Sequence, residues 1–310
     1  MIFFKNRVFS FFIIFFVCSF SFLFSAEKKS TVVGGKLEVF ELSSEAFDSG
    51  KPRKIRVWVP NSYFESETEN FEFPVMYMHD GQNLFDSATS YLGEWQIDET
   101  ISSLIEKNHF GAIVVGIDNS ESRFDEYSPD IQVDKKYSSY FSSSKADLYA
   151  KFIVETVKPF IDSKYRTNKS RENTVIAGSS MGGIISLHIA FTYPDVFGKA
   201  LVFSPAYHVY KMGEVRKYVK SLCKTLKKEG KLSNPSYLYI YTGGNRSGDE
   251  PLAPWDEASI YAFMAKLKDY LKVFGYPKKS IFYSENKAMA HSEWAWSIEF
   301  MKAYKKIFDL

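Results

Sequence analysis

Residues 173–183 read Asn-Thr-Val-Ile-Ala-Gly-Ser-Ser-Met-Gly-Gly, and within them Gly178-Ser179-Ser180-Met181-Gly182 has the G-x-S-x-G spacing. A β-branched apolar run leads in, and a helix-forming stretch containing Ile184, Ile185, Leu187, Ile189 and Ala190 leads out. A chain that reverses between strand and helix in so few residues lifts the middle serine on a strained turn. Small residues are needed two positions either side, and Gly178 and Gly182 supply them. Ser180 would then stand at a helix N-terminus, where developing negative charge is favoured. This predicts a serine nucleophile, with the Met181 backbone N–H as one oxyanion donor.

A serine hydroxyl needs a base to take its proton. With an elbow of this kind the acid and then the histidine follow the serine in the chain. Of the histidines beyond Ser180, His188 lies inside the helix-forming stretch that leads out of the motif, and His208 and His291 lie past it. His208 follows the apolar run ALVF and is read as a pocket or surface residue. His291 follows the last strand candidate and precedes a helix, which makes it the expected base. The acid is expected from the loop after YLYIY, where Asp249 and Glu250 are the candidates and Asp256 is more distant. It would hold the imidazole tautomer and stabilise the imidazolium. The second oxyanion donor is expected from the loop that follows PVMYM. There Gly81 permits close backbone approach, so the N–H of Gly81 or Gln82 is the candidate. His79 and Asp80 are expected to fix that loop by hydrogen bonds.

These groups need a sheet to carry them. Short apolar runs alternate with longer amphipathic stretches, the pattern of β/α alternation and a mostly parallel sheet. Strands are predicted over 36–42, 54–59, 73–78, 111–117, 173–177, 199–203, 237–241 and 280–283. The second alternates in polarity, as an edge or antiparallel strand should. PVMYM, AIVVGI, TVIA and ALVF are apolar throughout, as strands buried on both faces should be. Helices are predicted over 97–107, 145–164, 181–193, 213–228, 258–274 and 292–308, with Pro159 expected to kink or end the second. Residues 61–70 read as a hairpin or surface loop.

The 310 residues, 45% of them hydrophobic, suffice for one sizeable core. Lys5 and Arg7 precede an apolar run from Val8 to Phe24, followed by small residues Ser25 and Ala26. Residues 1–25 are therefore expected to be a signal peptide, with an uncleaved membrane anchor as the alternative. Export, periplasmic or extracellular, follows from the first reading. Without that leader the formal net charge falls from +2 to about zero, which predicts no nucleic-acid partner and no electrostatic membrane patch. Cys223 is then the sole cysteine, so no internal disulfide can form. The five histidines are scattered, with no Cys/His cluster at zinc spacing, and no metal is expected.

The segments HDGQNLFD (79–86), GEWQIDE (93–99), VGIDNSESRFDEYSP (115–129), KFIVETVKPFIDSKYRT (151–167), AGSSMGG (177–183) and HSEWAW (291–296) resemble the esterase D-like branch of the α/β hydrolases. That group contains feruloyl and acetylxylan esterases and the enterobactin-type siderophore esterases. The resemblance implies a single α/β-hydrolase domain over 36–310, with about eight mostly parallel strands and helices on both faces. It also implies ester hydrolysis without a cofactor, on a small-molecule ester, by Ser180 and His291. One departure concerns the acid: where relatives carry a carboxylate soon after the glycines, this chain has Arg246, and its carboxylates come later. Trp95, in the GEW segment, is a candidate lining for the acyl or aromatic side of the pocket, with loop packing as the alternative. Arg123 is expected to pair with Asp125 or Glu126, the alternative being an anionic substrate group. An acyltransferase on the same triad, or an exported binding protein that keeps the scaffold, would share these features. Oligomeric state is not legible.

Overall fold

In a computed structural model the described residues are 29–45, 47, 50–105, 110–243 and 266–310. Eight strands form one sheet: β1 (Gly35–Leu42), β2 (Arg53–Pro60), β3 (Val75–His79), β4 (Ile113–Ile117), β5 (Thr174–Ser179), β6 (Lys199–Phe203), β7 (Tyr237–Gly243) and β8 (Ile281–Asn286). Their spatial order is β1-β2-β4-β3-β5-β6-β7-β8. β1 pairs antiparallel with β2, and β2 antiparallel with β4. Every pairing from β4 to β8 is parallel. The alternating strand at 54–59 is thus antiparallel, and β1 rather than β2 is the edge.

Side chains on a strand point alternately to opposite faces, and the runs that look uniformly apolar divide on that rule. Val75 and Tyr77, Ile113 and Val115, Ala200 and Val202, and Leu238 and Ile240 enter one core. Met76 and Met78, Val114, Leu201 and Phe203, and Tyr239 and Tyr241 enter the other. The first core is covered by α3 (Ala146–Phe152), α4 (Lys158–Lys164), α5 (Met181–Thr192) and α6 (Met212–Lys228); the short α2 (Arg123–Glu126) follows β4. The second is covered by α1 (Ile97–Ile105) and a last helix, Glu293–Phe308, which pack together.

The predicted helix 145–164 is interrupted. Between α3 and α4 the turn Ile153–Val157 is π-helical, and the Lys158 N–H reaches back to the Ile153 carbonyl. Pro159 follows at once. It has no N–H to give, so the widened turn sits where the regular ladder must lose a bond. Residues 61–70 form two short 3₁₀ turns, Asn61–Phe64 and Ser66–Thr68, and no hairpin. Residues 266–273 are helical; the start of the helix predicted at 258 lies outside the described residues. So does the leader, residues 1–25. Among the described residues no helix is long and apolar enough to cross a membrane.

The polar lead-in before β1 is held by carboxylates. The Ser30 hydroxyl donates to Asp86 (2.7 Å), the Thr31 hydroxyl to Glu94 (2.9 Å) and the Val33 N–H to Asp98 (2.8 Å). Glu94, Asp98 and Glu99 lie together, with carboxylate oxygens within 4.8 Å of one another. Burial and the neighbouring Glu99 carboxylate push the Asp98 carboxyl well above the usual range.

Candidate active site

Three adjacent parallel strands, β3, β5 and β6, are each followed directly by a non-glycine residue with positive φ: Asp80 (58°), Ser180 (57°) and Ser204 (40°). At Ser180 the φ/ψ pair is 57°/−121°, directly between β5 and α5. That conformation is rare for a residue with a side chain and costs of order 1–3 kcal/mol. The surroundings hold it there. The Ser180 N–H donates to the Phe203 carbonyl (2.9 Å), and the Ser180 carbonyl accepts from Ala206 (3.1 Å) and Gly183 (3.1 Å). The half-buried Ser180 hydroxyl thus stands at the first turn of a twelve-residue helix. The Met181 N–H is one of the first-turn donors that a helix leaves without an internal partner.

The two glycines of the motif differ. A Cβ on Gly178 would lie 2.8 Å from both the Gly182 carbonyl oxygen and Cδ2 of His79, closer than real side chains come. A Cβ on Gly182 would meet His79 Cβ at 3.4 Å and Asp80 Oδ2 at 3.5 Å, near ordinary contact. Steric need for glycine is therefore strong before the serine and slight after it. His79 fills the space beneath the bend. Its Nδ1 bonds the Tyr149 hydroxyl (2.9 Å), and burial pushes the imidazole down to about 3. It is a buried neutral support.

The loop after β3 carries the expected second donor. Gly81 is pressed against β4: a Cβ there would lie 2.6 Å from the Gly116 carbonyl carbon and 2.8 Å from the Ile117 nitrogen. Its glycine is needed for strand packing, where the sequence suggested ligand approach. Gln82 is buried, and its side-chain oxygen accepts from the Asn119 N–H (3.2 Å). Asp80 takes a two-pronged ion pair from Arg123, Nε to Oδ1 at 2.7 Å and Nη2 to Oδ2 at 2.8 Å. The expected partners of Arg123 were Asp125 and Glu126, and this pairing corrects that expectation. Glu126 is instead taken by Arg53 in a buried fork (2.9 and 2.8 Å), and Asp125 accepts the Ser142 N–H (2.8 Å). Chain proximity misled here, because α2 turns Arg123 back over the Tyr127 ring, 5.0 Å away, toward β3.

His291 lies in the turn between β8 and the last helix, with Ser292 capping that helix through the Ala295 N–H (3.4 Å). Its ring meets Trp296 edge-on at 5.0 Å. The Trp296 indole N–H donates to the Ser204 hydroxyl (3.3 Å), and the Ser204 N–H donates to the Tyr241 carbonyl (2.8 Å). Phe203, the residue before Ser204, accepts the Ser180 N–H. This chain of contacts puts Ser180 and His291 at the same end of the sheet. No hydrogen bond joins their side chains among the described residues. The imidazole has an open face, yet the protein around it and then the Arg123 charge push it down to about 4. His208, in the turn Tyr207–Val209, is close enough for the two imidazoles to repel, and burial pushes it down to about 3. Asp249 and Glu250 lie outside the described residues.

Trp95 is 3% exposed and packs on Phe203 (5.2 Å), Trp296 (5.7 Å) and Phe300 (6.4 Å). It backs the tryptophan that touches His291 and belongs to the second core. Sequence reasoning missed Ser204, Asn119, Trp296 and Glu293. Glu293 accepts from the Asn83 amide (3.4 Å), linking the loop after β3 to the turn that holds His291. The signal that could have found them was position, since each stands beside a strand end or beside His291.

The chain is similar to known proteins in sequence and in fold. The siderophore triacetylfusarinine C esterase of Aspergillus fumigatus is 28% identical over 171 residues, 51% of this chain and 53% of that protein. Protein YbbA of Bacillus subtilis is 26% identical over 165 residues, 50% of this chain and 57% of that one. The chain thus spans a little over half the length of these curated relatives. In fold it resembles the siderophore hydrolase EstB of Aspergillus nidulans, with a TM-score of 0.65 and 20% identity over 87% of this chain and 94% of that one. It also resembles an IroE-like serine hydrolase from Shewanella oneidensis, with a TM-score of 0.63 and 19% identity over 87% of this chain and 80% of that one. The eight-stranded sheet is that of the α/β-hydrolase fold. The family model described as "Putative esterase" matches residues 44–297, and the chain belongs to that family.

Proposed function

We propose that this chain is a serine carboxylic-ester hydrolase acting through an acyl-enzyme, with Ser180 as nucleophile and His291 as base. The observation that carries the reading is the conformation of Ser180: a strained serine between a buried strand and a helix N-terminus, at the sheet end that also bears His291. Its hydroxyl proton passes to the imidazole as the oxygen attacks the ester carbonyl. The oxyanion that forms is met by the Met181 N–H and by an N–H of the loop after β3, that of Gln82 or Gly81. The imidazolium returns its proton to the departing alcohol, and the same steps with water release the acid. The acid of the triad is Asp249 or Glu250, from the loop after β7. The relatives' names point to a small ester, and siderophore, feruloyl and short acyl esters form the panel to screen. Export by residues 1–25 is part of the same proposal.

Ser180→Ala is expected to abolish p-nitrophenyl acetate hydrolysis and fluorophosphonate labelling while leaving the circular dichroism spectrum unchanged. Retained turnover in that variant would remove the assignment. His291→Ala is expected to be about as damaging, because residues acting as a unit are not additive. A correctly folded wild type that takes no label would point to a binding protein on this scaffold.

A further inference from the structure

Position 80 poses a chemical question. It adopts a left-handed conformation, where glycine is cheapest, yet it holds aspartate. The carboxylate explains the choice. It receives Nε and Nη2 of Arg123 at 2.7 and 2.8 Å and Nδ2 of Asn119 at 2.7 Å. The main chain at the same residue is also tied: its N–H donates to the Tyr127 hydroxyl (3.3 Å), and its carbonyl accepts from Asn83 (2.9 Å). Two residues on, the Gln82 side chain is fastened to the Asn119 N–H. Between these ties Gly81 is seated on the β4 backbone with no room for a side chain. The segment is therefore bolted at two residues, Asp80 by Arg123 and Asn119, and Gln82 by Asn119, with Gly81 packed on β4 between them.

A connecting loop does not need such bracing, but a donor aimed at a developing charge does. Electrostatic catalysis works only when the dipole is already in place. A displacement of about 1 Å can cost roughly a hundredfold in rate.

We propose that Arg123 and Asn119 are positioning residues that hold Asp80, and through it the Gln82 backbone N–H, where the ester oxyanion develops. The inference rests on the Ser180 reading above. Neither residue needs to touch substrate. Arg123 acts through its fork, so a lysine, which keeps the charge but cannot grip both carboxylate oxygens, does not replace it.

The test is steady-state hydrolysis of p-nitrophenyl acetate by the full chain. For Arg123→Ala, Arg123→Lys and Asn119→Ala, kcat is expected to fall by about tenfold to a hundredfold with KM held within about threefold, since the lost interaction acts only in the transition state. Added guanidinium at sub-denaturing concentration is expected to restore Arg123→Ala in part and to leave Arg123→Lys unchanged. Should Arg123→Ala not fold, Asn119→Ala and Arg123→Lys carry the test alone. If kcat in these two stays within about twofold of wild type, or the loss lies wholly in KM, the positioning role is overturned. The two readings fail differently. A wild type labelled at Ser180 and active, with unaltered variants, removes only the clamp. A wild type that neither turns over nor takes the fluorophosphonate removes the serine reading and the clamp with it.

Discussion

At the scale of single residues, the charge state of one imidazole sets the working range. His291 has to be neutral to accept the serine proton. Its surroundings and Arg123 lower its pKa to about 4, so neutrality persists well below the usual histidine range. The acid limb of kcat/KM is therefore expected near pH 4, with a plateau through neutrality and activity lost as pH falls through that value. A limb near pH 6.5 would instead show that a carboxylate from the loop after β7 offsets both effects. Replacing Asp249 with Asn and Glu250 with Gln together would then move the limb back down. Asp80, by contrast, is held below the usual carboxylate range by Arg123 despite its burial.

At the scale of elements, the bend between β5 and α5 is constrained from one side. Gly178→Ala forces its new carbon against the Gly182 carbonyl and His79, and is expected to cost about 1–3 kcal/mol or more. Gly182→Ala is expected to fold with a loss under about 1 kcal/mol, because its contacts are near ordinary distances. Thermal denaturation of the two variants checks the asymmetry, and equal losses would contradict it. A second element-scale tie is the buried Arg53–Glu126 pair, with side chains 5% and 1% exposed, which fastens β2 to α2. Arg53→Met strands a buried carboxylate and is expected to cost about 3–5 kcal/mol by urea denaturation, far more than Arg53→Met combined with Glu126→Leu. Elements of this kind were legible in the sequence wherever local pattern decides them. Val75–His79, Ile113–Ile117 and Lys199–Phe203 read as apolar runs because both their faces are covered. The elbow was legible because strand, serine and helix are contiguous. The partner of Arg123 was not, since Asp80 lies 43 positions away and only the pairing of β3 with β4 brings them together. The π-helical turn before Pro159 was illegible for a related reason: a proline marks a lost bond but not how the ladder closes around it.

At the scale of the whole molecule, two buried groups pull stability in opposite directions with pH. His79 is buried and titrates near 3 in the fold but near 6.5 in the unfolded chain. The unfolded state thus binds more protons between those values, and stability falls as pH drops through that window. The slope approaches about 1.4 kcal/mol per pH unit for this histidine. Asp98 has the other sign. Its raised pKa keeps a proton in the fold that the unfolded chain has already lost, so stability falls as pH climbs above 3.8. Asp98→Asn is expected to be more stable than wild type at neutral pH, with a gain that shrinks toward pH 4. Urea titrations at several pH values read both trends, and a gain independent of pH would refute the second. A different consequence follows from where the chain tolerates left-handed backbone. Asp80, Ser180 and Ser204 concentrate, at one rim of the sheet, conformational cost of order 1–3 kcal/mol each, within a total stability of only about 5–15 kcal/mol. A screen for heat resistance that ignores turnover should accumulate substitutions at and around those three positions, and the hardier proteins it yields should be the slower ones.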